Sequence, residues 1–240
     1  STIVSTASEW NGTNTTLFDE NLLVHLNFEN GTGVEPWQDT TAYNNSVIIS
    51  EYTTDCPASN CAWDAGVVGN GLWFDGNKNM VALDSDIFDQ AFSERTIMFW
   101  FNTDSFDTDV NDSTVAISVT GSNGQKFIMY AEDNAVSIGF QGHRLITPKS
   151  TLNTETWYHV TVIVPVSATM TGDVLVYIDA INQTLSDEAG TSQVLDTTNI
   201  SVLLGGNVGL GFYNGRLDDV RIYNKALTQD EIDFIYNSGA

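Results

Sequence analysis

The feature that most constrains this chain is a series of short segments in which apolar and polar residues alternate. In residues 21–28 (NLLVHLNF), for example, every second side chain from Leu22 to Phe28 is apolar. A period of two is typical of a strand with one face in a core. Because such segments recur with turn-forming residues between them, the sequence predicts an all-β sandwich or jelly roll rather than a helical or α/β fold. The predicted strands span residues 21–28, 46–50, 71–75, 79–83, 95–103, 113–120, 125–132, 135–141, 156–165, 172–180, 200–206 and 216–223.

The last predicted element is a helix that begins near Thr228. Thr228 is a favourable N-cap, and Glu231 three residues later completes a capping box. Leu227 and Ile232 can form a hydrophobic staple, and Gly239 can end the helix. We expect this helix to cover one end of the sandwich.

Six segments resemble, in this order, the laminin-G-like, concanavalin A-like jelly-roll domains: LLVHLNFENGTG, GVVGNGLWFDGNKNMVAL, RTIMFWFNT, TWYHVTVIV, VLVYIDAINQT and GFYNGRLDDVRIYNKALTQDEI. The resemblance covers residues 22–238 and implies an antiparallel jelly-roll β-sandwich (concanavalin A-like) with a short C-terminal helix. Residues 1–20 are polar and predict an exposed arm or linker, which leaves residues 21–240 as one laminin-G-like domain. The fold hosts sugar-binding modules, adhesion modules, glycosidases and lyases, so the resemblance alone specifies no function.

Two segments depart from the family pattern. Ala180 follows Asp179 where the family hairpin usually has glycine, which predicts a different turn. Residues 50–70 show little periodicity and predict one long loop, within which Cys56 and Cys61 are the two cysteines of the chain. We predict a disulfide between them and hence an oxidising compartment, with two free thiols as the alternative. With no second pair and no matching histidines, this spacing makes a poor zinc site.

Asn-x-Ser/Thr triplets also indicate an extracellular or cell-surface protein. The chain opens with STIVSTASEW rather than with methionine, as a processed or trimmed end would. We therefore predict a secreted glycoprotein. The predicted glycosylation acceptors are Asn11, Asn14, Asn30, Asn44, Asn111, Asn182 and Asn199.

The charge balance limits the partners of this chain. Its 31 acidic residues face eight lysines and arginines, which gives a formal net charge of −23. A field of this sign repels phosphate backbones and anionic lipid, so we predict neither nucleic acid nor a membrane surface as a partner. It favours a salt-rich or cation-rich setting, because salt screens the self-repulsion. No apolar run reaches the roughly 20 residues of a membrane helix, so no membrane insertion is predicted.

Catalysis is not predicted. Retaining glycosidases need two carboxylates on one face about 5 Å apart, and the chain has no Glu-x-Asp-x-x-Glu pattern. Asp218 and Asp219 are adjacent, so on a regular strand they would point to opposite faces. If Val220 and Ile222 face the core, Asp218 lies on the inner side, and Asp219 shares the other face with Arg221.

The three histidines do not indicate a metal cluster or a nucleophile elbow. They are His25, His143 and His159. His25 and His159 lie in predicted strands, where we expect a hydrogen-bonded structural role.

Calcium is the chemical hypothesis that the acidic residues favour, because hard cations take carboxylate and carbonyl oxygens. Domains of the resembled family often carry a calcium ion on the sandwich. The candidate ligands are Glu29, Asp75 and Asp218. The alternative for Asp75 is a turn residue that bonds nearby amides. The alternative for Asp218 is a carboxylate satisfied by backbone N–H groups or Arg216.

Sugar binding would use an aromatic platform with polar partners. The exposed candidates are Trp10, Trp37 and Trp63, whereas Trp73, Trp100 and Trp157 lie in predicted strands and are expected in the core. The predicted function is an extracellular, non-catalytic binding or adhesion module, glycan-directed and calcium-assisted, whose partner is a glycan or a cell-surface protein. The first alternative is a structural subunit of a filament, surface layer or virion, whose N-terminal arm pairs with a neighbouring subunit. The second is a polysaccharide hydrolase or lyase.

Overall fold

The structure is a computed structural model, and it describes most of the predicted domain. The described residues are 21–29, 39–41, 47–49, 63–77, 81–83, 94–106, 114–121, 124–140, 143–165, 173–189, 200–207 and 211–238. Several predictions lie outside them: the arm at residues 1–20, the cysteines Cys56 and Cys61, the tryptophans Trp10 and Trp37, the helix-ending Gly239, and the acceptors Asn11, Asn14, Asn30, Asn44, Asn111 and Asn199.

The described residues form short strands and one terminal helix. The first strands are β1 (Leu22–Leu26), β2 (Val47–Ile49), β3 (Trp63–Ala65), β4 (Asn70–Asp75), β5 (Val81–Leu83), β6 (Arg95–Thr103), β7 (Thr114–Gly121), β8 (Gly124–Glu132) and β9 (Ala135–Phe140). The remaining elements are β10 (His143–Ile146), β11 (Tyr158–Val164), β12 (Leu175–Ile178), β13 (Ile181–Asn182), β14 (Ser186–Ala189), β15 (Ile200–Leu204), β16 (Gly206–Asn207), β17 (Gly211–Phe212), β18 (Asn214–Tyr223) and the helix α1 (Gln229–Ser238).

The strands form two eight-stranded antiparallel sheets that face each other. Sheet A has the order β13-β12-β11-β6-β18-β4-β3, and β1 also pairs with β18. Sheet B has the order β14-β10-β9-β8-β7-β15-β5-β2, and β16 and β17 form a separate pair. The prediction of an antiparallel jelly-roll sandwich with a short C-terminal helix is confirmed.

The central strand β6 of sheet A is buried on both faces. On its inner face, Phe99 and Phe101 of β6 join the main core between the sheets. On its outer face, Met98 packs with Ile232 and Ile235 of α1, so every residue of β6 is buried. The helix therefore covers the outer face of sheet A, and not one end of the sandwich as predicted. In the described part of the chain, no helix has the length and apolarity required to cross a membrane.

A bulge in β18 changes which way its acidic residues point. Leu217 and Val220 both face the main core although they are three positions apart. The register with β6 shifts just after Asp218, and Asp219 has a φ of 48°. Because the bulge inserts one residue, Asp218 lies on the face opposite Leu217, the outer face of sheet A. The prediction that Asp218 shares the core side with Val220 was wrong, because it assumed unbroken alternation.

The hairpin after β12 keeps its two-residue turn despite the missing glycine. Asp179 and Ala180 have φ values of 50° and 62°, which match a turn with two left-handed residues. The prediction that this turn differs from the family hairpin stays a prediction. Alanine adopts the left-handed conformation at a cost of about 1–2 kcal/mol. Asp133 and Asn134, with φ values of 51° and 54°, form the same kind of turn between β8 and β9.

The segment 50–70 is not entirely a loop. Strand β3 lies within it and pairs with β4 at the edge of sheet A. Trp63 of β3 is half-buried and packs edge-to-face on Phe28, with ring centroids 6.4 Å apart. Trp63 thus lies in a strand and not in a loop as predicted, and its role in sugar binding stays a prediction.

Candidate functional site

Three segments meet at the bulge of β18. One edge of β18 pairs with β6, and the other is shared end to end by β4, along residues 214–217, and β1, along residues 220–223. The end of β1 and the start of β4 therefore meet beside Asp218. The turn of residues 66–69 between β3 and β4 reaches the same point. We call this place, formed by Glu29, residues 66–70 and Asp218, the junction site.

Backbone N–H groups hold the carboxylate of Asp218. Its Oδ2 accepts hydrogen bonds from the N–H groups of Val67 (2.8 Å) and Val68 (3.2 Å), and its Oδ1 accepts one from Asp219 N–H (2.7 Å). Burial raises the pKa of Asp218 to about 7, although these hydrogen bonds oppose the rise. A proton or a cation is therefore favoured at Asp218 near neutral pH.

The second carboxylate of the junction site belongs to Glu29. Its Oε1 accepts a hydrogen bond from Asn70 N–H at 3.2 Å. A Cβ at Gly69, whose φ is 59°, would overlap the Glu29 carboxylate, and a Cβ at Gly66 would overlap that of Asp218. The two glycines thus allow both carboxylates to approach the turn closely.

The third predicted calcium ligand, Asp75, lies elsewhere. It pairs with Asn214, four residues from Asp218 along β18, which corresponds to roughly 13 Å. Its Oδ1 accepts a hydrogen bond from Asn77 N–H (2.8 Å), as a turn aspartate does. Within the described residues, no group of three or more His, Cys, Asp or Glu side chains is placed to hold a metal ion. A calcium ion at the junction site would need carbonyl oxygens beside Glu29 and Asp218, and calcium binding stays a prediction.

Asp219 forms a buried ionic cluster on the outer face of sheet A. His25 Nε2 lies 2.6 Å from its Oδ1, and Arg221 Nη2 lies 2.9 Å from its Oδ2. Although burial alone would raise the pKa of Asp219, Arg221 and His25 hold it well below its usual range. Asp219 shares a face with Arg221 as predicted. The bulge puts Asp218 on that face too, so the prediction of opposite faces was wrong, but the two aspartates contact different partners.

The cluster continues to the surface through a hydroxyl group. Thr40 Oγ1 lies 3.0 Å from His25 Nδ1, which places a hydroxyl, an imidazole and the Asp219 carboxylate in series. Thr40 also uses its N–H (3.0 Å) and Oγ1 (3.2 Å) to donate to the His25 carbonyl. These bonds attach the segment at residues 39–41 to β1. The groups are committed to one another, which is typical of a structural role.

His159 lies on the same face but makes different contacts. Its ring packs between Trp100 of β6 (5.1 Å between centroids) and Tyr236 of α1 (5.7 Å). Burial lowers the pKa of His159 to about 4, so the ring is neutral at physiological pH. Histidine here acts as an aromatic contact for the helix.

Sheet B carries a different set of polar groups on its outer face. In β8 to β10, Met129, Ile138 and Leu145 point into the core. The alternate positions place Tyr130 and Arg144 on the outer face. We call the group formed by Tyr130, Glu132, Ser137, Gly139 and Arg144 the outer-face site.

A glycine positions the aromatic ring of the outer-face site. Tyr130 lies over Gly139, because a Cβ at Gly139 would come within 2.9 Å of Tyr130 Cε2. The ring is half-buried, and burial raises the pKa of its phenol to about 12, so the hydroxyl stays protonated. A neutral ring that is only partly buried is the kind of group on which a sugar ring stacks.

An ion pair completes the outer-face site. Arg144 Nη1 donates to Glu132 Oε2 at 2.9 Å, and the Glu132 side chain is only 3 % exposed. Ser137 is fully buried, and among the described residues its Oγ has no hydrogen-bond partner. Aromatic, hydroxyl and charged groups thus lie together on one sheet face, a combination suited to binding a polar ligand.

The sequence prediction missed the outer-face site because none of its residues is a tryptophan or lies in a predicted loop. A usable signal was present in Gly139, since glycine inside a strand often marks a close approach by another group. Of the predicted acceptors, Asn182 is described, and it is exposed on the edge strand β13. Among the tryptophans expected in the core, Trp100 is buried, whereas Trp73 and Trp157 are half-buried.

Family comparison agrees with this architecture. A profile described as the concanavalin A-like lectin/glucanases superfamily matches residues 75–233. Since the match spans more than half of the chain, the chain belongs to this superfamily. The resemblance predicted from the sequence is thereby confirmed. No curated protein matches the sequence.

Several solved structures share the fold of this chain. The ligand-binding domain of botulinum neurotoxin serotype D, in complex with N-acetylneuraminic acid, has a TM-score of 0.65 at 14% identity, with 92% of this chain and 51% of that one covered. The binding domain of Paraclostridial mosquitocidal protein 1 has a TM-score of 0.64 at 16% identity, with 92% and 52% covered. This chain thus spans about half of each toxin domain. Domain 4 of AbnA, a GH43 extracellular arabinanase from Geobacillus stearothermophilus in complex with arabinotriose, has a TM-score of 0.61 at 18% identity, with 90% and 98% covered.

Proposed function

We propose that this domain is an extracellular, non-catalytic glycan-binding module that binds its ligand at the outer-face site. The observation that carries the proposal is the neutral ring of Tyr130, held over Gly139 beside the Arg144–Glu132 ion pair. An apolar ring face matches the C–H face of a sugar, and the neighbouring polar groups match its hydroxyls. The sugar-bound arabinanase and neurotoxin domains support this choice by analogy of fold, which is weaker support than the site itself.

Binding without catalysis is consistent with the acidic groups described. Asp219 is committed to His25 and Arg221, and Glu132 to Arg144. Asp218 is adjacent to Asp219 but bonds to backbone N–H groups of the 66–69 turn. None of these forms the pair of cleft-facing carboxylates that a retaining glycosidase uses.

Calcium belongs to the proposal as a structural aid at the junction site. The two carboxylates of Glu29 and Asp218 approach one turn, and a divalent cation would offset the cost of ionising the buried Asp218. Calcium would then fix the turn rather than contact the glycan. The expected readout is a rise in melting temperature with calcium that chelator reverses and that Asp218→Asn abolishes. An equal rise in Asp218→Asn would contradict this assignment.

A glycan array tests the main proposal, and Tyr130→Ala tests the site. Loss of the ring is expected to weaken binding at least about tenfold, since truncating an aromatic hot spot costs about 2 kcal/mol or more. Tyr236→Ala is the matched control. Because Tyr236 lies on the other side of the sandwich, this substitution should leave the affinity for the glycan unchanged. Circular dichroism checks that both variants fold. A wild-type protein that binds no glycan would refute the function, and undiminished binding by folded Tyr130→Ala would refute the site.

A further inference from the structure

We infer that the ligand of the outer-face site is an uncharged glycan, and that the site discriminates against sugars carrying carboxylate, sulfate or phosphate groups. The inference rests on the proposed function and specifies the chemical class of its ligand. Two described cations near the site, Arg144 and Lys149, already pair with carboxylates of the protein, and the field of the whole chain repels anions.

The ion pair leaves Arg144 unsuited to receive an anion. Capture of a carboxylate or sulfate by arginine uses the guanidinium as a fork of two parallel donors. Here Arg144 Nη1 donates to Glu132 Oε2 at 2.9 Å. An anionic sugar that replaced Glu132 as the partner of Arg144 would leave the Glu132 carboxylate without this cation. The Glu132 side chain is only 3 % exposed. Removing one partner of a buried pair is costly, so exchange of Glu132 for a ligand anion is unfavourable.

The lysine beside the site is also paired. Lys149 Nζ lies 3.0 Å from Asp133 Oδ2, at the turn that follows β8. On the neighbouring edge strand β14, Asp187 is exposed and its Oδ1 lies 2.9 Å from His143 Nε2. Among the described residues of this region, the carboxylates of Glu132, Asp133 and Asp187 therefore lie beside the cations of Arg144 and Lys149. These described groups together favour no anion.

The long-range field acts in the same direction. The chain carries a formal net charge of −23, so an anionic glycan is repelled before it reaches the site. This effect weakens with salt, because the screening length falls from about 10 Å at 0.1 M to about 3 Å at 1 M. An uncharged glycan experiences neither the local nor the long-range penalty. Its hydroxyls can use the Tyr130 hydroxyl and the polar edge of the ion pair, while its C–H face covers the ring.

Removal of the negative charge from the ion pair provides a direct test. Glu132→Gln keeps the shape of the side chain but removes the charge that neutralises Arg144. We expect this variant to gain affinity for sialylated or uronic-acid glycans by about tenfold or more relative to wild type, because the guanidinium can then donate charge-assisted hydrogen bonds to the ligand anion. Asp133→Asn is the matched control, because it removes a carboxylate that pairs with Lys149 outside the site, and it should produce a smaller gain. If Glu132→Gln does not fold, the selectivity of the wild-type protein between neutral and anionic glycans tests the inference.

The readout is an array of neutral, sialylated, uronic, sulfated and amino-sugar glycans, probed with wild type and variants at low and high salt. Binding confined to neutral glycans, with little dependence on salt, supports the inference. Wild-type preference for anionic or amino-sugar glycans overturns it while the proposed function stands. Tyr130-dependent binding of anionic glycans would also overturn it. Absence of binding to every glycan would refute both.

Discussion

The two outer faces of the sandwich carry similar chemistry in opposite arrangements. On sheet A, the Asp219 cluster is covered by packing, and its carboxylate contacts both His25 and Arg221. On sheet B, Arg144 pairs with a buried glutamate, but the neighbouring ring of Tyr130 remains half-exposed. Both faces contain an arginine–carboxylate pair, so residue type alone does not separate a structural cluster from a binding site.

The difference lies in what each pair leaves unused. The Asp219 cluster uses its donors and acceptors to fasten β1, β18 and the segment at residues 39–41 to one another. The outer-face site retains an aromatic surface and a phenol hydroxyl that its ion pair does not occupy. A face whose polar groups bond to one another stabilises the fold. A face that keeps an aromatic ring outside its ion pair can bind a ligand.

The largest expected effect is on the free energy of unfolding, at the Asp219 cluster on the outer face of sheet A. Asp219→Asn should lower the free energy of unfolding by roughly 3–5 kcal/mol, because it leaves Arg221 buried without its counter-ion. Glycan affinity of the folded fraction should not change. Chemical denaturation measures the first quantity and titration calorimetry the second. Asp64→Asn, which breaks the more exposed pair with Arg216 (2.7 Å), is the control and should cost no more than about 1 kcal/mol. Equal losses for the two variants would contradict the distinction between a buried cluster and a surface pair.

The second prediction separates the two adjacent aspartates by pH. Because burial raises the pKa of Asp218 to about 7, its contribution to stability is full below the usual carboxyl pKa and is lost as pH rises toward 7. Asp219 has a depressed pKa, so its contribution is present at neutral pH and is lost as pH falls below about 4. Asp218→Asn should flatten the profile between pH 4 and pH 8 by about 4 kcal/mol, and Asp219→Asn should flatten its acid limb. Denaturation at a series of pH values gives both slopes. Identical profiles for the two variants would show that the aspartates do not differ in this way.

The third prediction concerns the outer-face site on sheet B, where a substitution should affect glycan binding more than stability. Gly139→Ala places a methyl group against the Tyr130 ring, which must move. We expect about fivefold weaker glycan binding, equivalent to about 1 kcal/mol, with a similar or smaller loss of stability. Calorimetry and thermal unfolding report the two effects. Unchanged affinity would mean that the position of the ring over Gly139 is not required.

The smallest effect is expected at the turns beside the two faces. Ala180→Gly should raise the free energy of unfolding by about 0.5–1 kcal/mol, because glycine adopts a φ of 62° without the penalty that alanine incurs. Asn134→Gly is the control at the equivalent turn beside sheet B. Asparagine tolerates this conformation, and Asn134 Nδ2 also donates to the Leu152 carbonyl at 2.9 Å. Thermal unfolding of the pair should show a gain for the first variant and none for the second.

Much of the fold could be predicted from the sequence, because local patterns determine local structure. The segment at residues 95–103 becomes β6 with the predicted ends. The predicted capping box forms, with Thr228 N–H donating to Glu231 Oε2 at 2.9 Å and Glu231 N–H to Thr228 Oγ1 at 3.4 Å. Short strands such as β3 and β13 were missed, since two or three residues hold too little periodicity to be recognised.

The sites required information that the sequence lacks. Glu29 and Asp218 were both proposed as ligands, and they do approach one turn, whereas Asp75 lies at the far end of β4. Which carboxylates meet depends on β1 and β4 sharing one edge of β18, a pairing between segments far apart in the chain. Periodicity assigns residues to faces but does not determine such pairings.

The sandwich, the terminal helix cap and the excess of acidic residues could be predicted from the sequence, because alternation, capping residues and net charge act locally or by simple summation. The roles of Asp218 and Asp219 depend on tertiary structure. A single inserted residue at the bulge placed both on the outer face of sheet A, one against backbone N–H groups and the other between His25 and Arg221. The tertiary structure likewise placed Tyr130 over Gly139, since only strand pairing brings these residues together. Burial and partners, which differ between adjacent residues, set the chemistry of each.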